Sequence, residues 1–67
     1  MNVFINKKEY TLPEGATIFD ALQAVQNITL KGIAVALNND VVASTDWEST
    51  TLNDSDKITI IRAFYGG

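Results

Sequence analysis

Residues 17 to 25, Thr17-Ile18-Phe19-Asp20-Ala21-Leu22-Gln23-Ala24-Val25, decide how the chain is read. Ile18, Ala21, Leu22 and Val25 recur at i, i+3, i+4 and i+7, which places one apolar stripe on a helix of about three turns. Thr17 can cap this helix. Asp20, three residues later, supplies an acidic form of the capping box and suits the positive end of the helix dipole. A stripe with this spacing belongs to a core rather than to a binding site.

On either side of the helix the pattern changes to the two-residue period of strands. Met1, Val3 and Ile5 alternate with Asn2, Phe4 and Asn6. Asn6-Lys7-Lys8-Glu9 reads as a turn, with Lys7 and Lys8 solvated, and Tyr10-Thr11-Leu12 as a second strand. Pro13-Glu14-Gly15 ends that strand, because proline fixes φ and gives a ladder no donor. After the helix, Lys31-Gly32 releases the chain into residues 33 to 37. Asn38-Asn39-Asp40 tolerates a tight hairpin turn, and Val41-Val42 returns. Residues 44 to 53 form a long polar connection pinned by Trp47, with room for a helical turn. Asp54-Ser55-Asp56 turns the chain into a last strand over 57 to 62. The order is two strands, a helix, two strands, a crossover and a strand, an α+β arrangement of one mixed sheet with a helix across one face.

Composition limits what such a domain can do. A chain of 67 residues, 46% hydrophobic, is one small domain at a size that buries only about 60% of its unfolded surface. It has room for one core and none for an enzyme-sized cleft. Cysteine and histidine are both absent, which removes disulfides, the usual zinc ligands, the thiolate nucleophile and the commonest general base. No catalytic residue, no metal and no bound cofactor are expected. The net charge of -3, with basic residues only at Lys7, Lys8, Lys31, Lys57 and Arg62, argues against nucleic acid as a partner. Where that acidic excess is functional it favours a basic docking surface. No leader and no membrane-spanning run is evident, so the cytoplasm is the expected location.

The final pair, Gly66-Gly67, ends on a carboxylate carried by a tail with almost no side-chain bulk. Glycine is about 7% of ordinary sequences, so chance alone gives such a pair roughly once in 200 chains. A frayed end or a cloning remnant is the plain alternative. Against it, the pair follows closely on the β-branched run Ile58-Thr59-Ile60-Ile61, with no tag-like linker between.

The second half of the chain carries a family pattern. It comprises Ala34-Val35-Ala36-Leu37-Asn38-Asn39, Val41-Val42, Trp47, Leu52-Asn53-Asp54-Ser55-Asp56, and Arg62-Ala63 leading to Gly66-Gly67. In order and spacing these pieces resemble the ThiS sulfur carrier proteins of thiamine biosynthesis, which are ubiquitin-like β-grasp domains. Two departures stand out. The family often has glycine at the position of Ser55, and often a Pro-basic pair where this chain has Ala43-Ser44. The first concerns turn chemistry and the second the docking partner.

The resemblance implies a β-grasp sheet of about five strands over residues 1–63 and a flexible tail at 64–67. It also implies a mechanism. A terminal carboxyl has a reference pKa of about 3.3 to 3.7, so at neutral pH it is ionised and resists nucleophiles. An adenylating, E1-like partner therefore uses ATP to form an acyl-adenylate at Gly67. Sulfur then displaces AMP to leave a thiocarboxylate, which a thiazole synthase consumes. With no cysteine in the chain, the sulfur comes from a donor protein. Gly66 lets the tail pass a narrow channel. The chain would be a co-substrate rather than an enzyme, and a monomer when free.

Strand parity suggests where partners dock. In the β-grasp order the first, last and third strands are neighbours, with the last in the middle. If Val3, Ile5, Val35, Leu37, Ile58 and Ile60 face the helix, then Phe4, Ala36 and Ile61 form an apolar patch on the open face, extended into the tail by Phe64 and Tyr65. A one-residue change of register would instead return Phe4 to the core. Trp47 is expected to cover the core edge rather than recognise a partner. Asp54 and Asp56 are expected to form a turn rather than hold a metal. Rival functions share the same tail: sulfur delivery for molybdopterin, or a ubiquitin-like modifier that forms isopeptide bonds. A plain β-grasp binding module, its glycines incidental, is the third.

Overall fold

The computed structural model describes residues 1–25 and 31–62. Five strands form one mixed sheet: β1 (Asn2–Ile5), β2 (Lys8–Thr11), β3 (Ile33–Leu37), β4 (Asp40–Val42) and β5 (Lys57–Arg62). Their order is β2-β1-β5-β3-β4. The two hairpins are antiparallel, β5 is antiparallel to β3, and β5 runs parallel to β1. The last strand therefore sits in the middle of the sheet, with a hairpin on each side. This is the α+β, ubiquitin-like β-grasp arrangement.

Both hairpin turns are tight, the second as expected and the first tighter than its four residues suggest. Asn6 and Lys7 take φ of 50° and 71°, and Asn38 and Asn39 take 49° and 76°. Each pair is a two-residue turn with both residues left-handed, the form that matches the twist of antiparallel strands. Ile5 thus pairs with Lys8, and Leu37 with Asp40. The first turn is two residues rather than the four read from Asn6-Lys7-Lys8-Glu9. Lysine at the second position, where glycine is usual, hides it. Lys8 belongs to β2, its ammonium 5.6 Å from the centre of the Tyr10 ring. The second strand correspondingly starts at Lys8 and ends at Thr11, although Leu12 N–H still donates to the Met1 carbonyl at 2.8 Å.

The helix α1 (Ile18–Ala24) is shorter than the expected three turns. Val25 is extended, with ψ of 127°, and ends it. Seven residues are too few for a helix to persist in water, so packing must hold it. Ile18, Ala21 and Leu22 are fully buried against the sheet, and burying a side chain such as Ile18 or Leu22 contributes roughly 1.5–3 kcal/mol each. Its first N–H groups are all satisfied. Ile18 N–H donates to the Thr50 carbonyl and Phe19 N–H to that of Trp47, at 3.1 and 3.0 Å. Asp20 N–H donates to Thr17 Oγ1, while the Asp20 carboxylate accepts from Thr17 N–H, closing the capping box. The connection after β4 thus works as the seat of the helix: its 3-10 turn at Ser44–Asp46 leads into Trp47, which is buried and donates through Nε1 to the Val42 carbonyl at 3.0 Å.

The core is Val3, Ile5, Leu12, Ala16, Ile18, Ala21, Leu22, Val35, Trp47, Leu52 and Ile58. At its edge the turn before β5 is held by its carboxylates. Asp54 accepts from Asn2 N–H at 2.7 Å; Asp56 accepts from Asn53 N–H and from the Asn38 carboxamide at 2.8 and 3.0 Å. Ser55 takes a φ of 71° in the same turn, in the left-handed region that favours glycine. Asn38 also accepts from Lys57 N–H at 3.0 Å. Replacing Asn38 by glycine keeps the left-handed backbone and removes only this bridge. The expected cost is about 1–2 kcal/mol in urea unfolding, and an Asn38→Gly variant as stable as the parent would show that the bridge contributes nothing.

Candidate functional site

The open face of the sheet follows from the alternation along β5. Ile58 and Ile60 turn toward the helix, so Thr59 and Ile61 turn away. On β1, Val3 and Ile5 are buried and Phe4 between them points outward, half-buried. On β3, Val35 is buried and Ala34 and Ala36 take the outward parity. Phe4, Ala36 and Ile61 therefore share one face, as parity requires. They do not touch in a single row. Ala36 lies opposite Thr59, which separates it from the Phe4 side, while Ile61 lies opposite Ala34.

One residue of this face was not anticipated. Val41 is opposite Ala36 on β4 and is the most exposed large hydrophobic residue among those described, at 78%, with Ile61 at 55%. Its placement needs the register: Val42 pairs with buried Val35, so its neighbour must face outward. Phe64, Tyr65, Gly66 and Gly67 lie outside the described residues, as does Ala63 at the domain boundary.

Asparagine side chains steady the part of β5 that approaches the tail. The ladder between β1 and β5 is short, pairing Phe4 with Lys57 and Ile5 with Ile58. Beyond it the Asn6 carboxamide takes over, accepting from Ile60 N–H at 2.8 Å and donating to the Ile60 carbonyl at 3.5 Å. Asn6 and Asn38 thus do the same job from the two hairpin turns, one at each end of β5.

Chemically, this face can bind but offers no reacting group. It presents apolar side chains, Thr59, lysines and, at its edge, Glu9. No group of three His, Cys, Asp or Glu able to hold a metal occurs among the described residues. Nor does any helix among them have the length and apolarity to cross a membrane.

The family model described as the ThiS family matches residues 2–67. The chain belongs to the ThiS family. It is accordingly a sulfur carrier of thiamine biosynthesis. Its likeness to solved structures agrees. A crystal structure of the thiamine biosynthesis protein ThiS from Geobacter metallireducens is 26% identical, covers all of both chains and superposes with a TM-score of 0.83. A solution NMR structure of a thiamine biosynthesis protein from the same organism, also 26% identical, covers all of this chain and 88% of its own, with a TM-score of 0.74. No curated protein sequence matches the chain.

In this ThiS-family chain the two faces of the sheet should respond differently to substitution. Ile61→Ser and Val41→Ser remove no core contact and should change unfolding free energy by no more than about 0.5 kcal/mol. Ile58→Ala, on the buried face of the same strand, should cost about 2–5 kcal/mol. Equal losses at Ile58 and Ile61 would mean that the strand parity is wrong.

Proposed function

We propose that this carrier holds sulfur as a thiocarboxylate on Gly67. The reading is carried by one observation: the family match runs through residue 67, so the paired glycines fall within the family's pattern. The fold supports it, since β5, the strand that leads toward these glycines, is hydrogen-bonded on both sides, to β1 and to β3.

The chemistry requires two displacements. A Gly67 carboxylate oxygen attacks the α-phosphorus of ATP on the adenylating partner, and pyrophosphate leaves. This converts a resonance-stabilised anion into an acyl-adenylate. Hydrosulfide, already released from the donor protein, then adds to the carbonyl carbon, AMP leaves with the bonding pair, and the proton on sulfur is lost to give the thiocarboxylate. The sulfur anion is the nucleophile that the thiazole synthase receives. The body of the domain supplies recognition, and its cysteine-free composition leaves no thiol of its own to compete for the activated carbonyl. An ATP-dependent step of this kind suits the cytoplasm. Membership of the ThiS family favours thiamine over molybdopterin as the destination.

The test is intact-mass analysis after incubation with a cognate adenylating enzyme, ATP and a sulfur source. A sulfur-for-oxygen gain confined to the C-terminal peptide is expected, and absence of that gain with every cognate enzyme would overturn the proposal. Gly66→Val should abolish the gain with the thermal midpoint unchanged, because a branched Cβ obstructs passage of the tail and not the folding of the sheet. Covalent ladders on other proteins, in place of release of the intact carrier, would point to a modifier instead.

A further inference from the structure

The open face also contains a concavity of about 740 Å³, beside the start of β5 and between the two hairpin turns. Phe4 contributes its apolar wall, and Asn39 and Thr59 neutral polar atoms. Its ionisable lining residues are Lys7 and Lys57, both exposed. No carboxylate among the described residues lines it. Asp56, at the root of β5, is buried and committed to Asn38 and Asn53. Glu9 shares the open face, opposite Phe4, but stands on the edge strand β2 and is not part of the lining. On a chain of net charge -3, the concavity is thus a local cationic spot around an aromatic wall. It calls for an acidic partner surface, the reverse of the basic one that the overall charge favours.

Two exposed lysines are too few for a nucleic-acid backbone, which needs several neutralised phosphates. An apolar wall flanked by cations instead complements a protein segment with an apolar tip and adjacent acids. We infer that the concavity docks such a segment of the adenylating partner, an apolar side chain resting on Phe4 and flanking Asp or Glu carboxylates meeting Lys7 and Lys57. The inference rests on the adenylation step proposed above. Docking here leaves the far end of β5 and the tail free to reach the reacting centre. The lysines orient the segment and speed its encounter, and reversing their charge sets like charges against its carboxylates, which lowers affinity.

The experiment compares two double charge reversals that lower the net charge equally. Lys7→Glu/Lys57→Glu inverts the concavity. Lys8→Glu/Lys31→Glu inverts two exposed lysines outside it. Binding of each full-length carrier to the cognate adenylating enzyme is measured by calorimetry at low and high salt, after thermal melts establish that both variants fold. The concavity pair should weaken binding about tenfold or more, and the control pair by no more than about threefold. Parent binding should weaken as salt rises, and the salt dependence should shrink or reverse in the concavity pair. Equal losses in both pairs, or no binding of the parent carrier, would overturn the inference. If the parent gains sulfur but both pairs bind alike, the docking claim fails and the carrier chemistry stands. If binding is lost selectively but no thiocarboxylate forms, the docking claim stands and the sulfur chemistry fails.

Discussion

The hydrogen bonding of β5 on both sides is the constraint on which the rest of the structure depends. One edge of this strand pairs in parallel with β1 and the other in antiparallel with β3. Without it there are two hairpins with no sheet to join, each marginal by itself in water. The two asparagine carboxamides show how far the fold goes to satisfy this strand. Asn38 serves its first residue and Asn6 serves Ile60, where the parallel ladder has already ended. Because side chains alternate along a strand, the same six residues also divide the molecule's tasks. Ile58 and Ile60 go to the core, and Thr59 and Ile61 to the face that meets solvent. The core and the proposed docking face are therefore two sides of one strand rather than separate modules.

The connection between β4 and β5 has a second supporting role. Its carbonyls at Trp47 and Thr50 receive the first two N–H groups of the helix, and Leu52 N–H returns a bond to the Ala16 carbonyl at 2.8 Å. A helix of seven residues survives because its stripe is buried and its start is hydrogen-bonded from outside. The indole of Trp47 belongs to this arrangement. It is buried with its N–H satisfied, which is the behaviour of a core cover.

Much of this was legible from residue patterns. The helical stripe from Ile18 to Val25 and the Thr17-Asp20 box both rest on local chemistry, which sequence records directly. So do the strand alternations around Val3 and Ile58. The central position of β5 is a different kind of knowledge. Nothing in the spacing of residues 57 to 62 says that they lie between β1 and β3; that came from the family resemblance. The hairpin at Asn6-Lys7 was blurred because lysine rarely takes a left-handed φ, and the fold imposes it through the register of Ile5 with Lys8. The helix end at Val25 was missed because an apolar residue with the right spacing can finish a stripe without being helical. For the open face, parity identified Phe4, Ala36 and Ile61, but their lateral arrangement needed register. Thr59 comes between Phe4 and Ala36, and Val41 borders Ala36 from a strand too short to read as alternating. The cationic character of the concavity was invisible for a related reason. Lys7 and Lys57 are 50 positions apart in the chain, and only the parallel pairing brings them to one place.

That parallel pairing has a consequence for how the molecule is made. The contacts that complete the sheet join the beginning of the chain to its end: Asn2 meets Asp54 across 52 residues, and Asn6 meets Ile60 across 54. As the polypeptide emerges during synthesis, the residues of both hairpins and of the helix are made well before the strand that unites them. Until residues 57 to 62 arrive, β1 and β3 expose unpaired inner edges, open to wrong partners. The entropy of closing so long a loop rises only logarithmically with length, but it must be met before the reward of pairing is collected, which slows folding. Assembly of this domain is therefore a late, nearly all-or-none event set by its final strand, and a nascent chain stalled before Lys57 would be a candidate for chaperone capture rather than a partly working carrier.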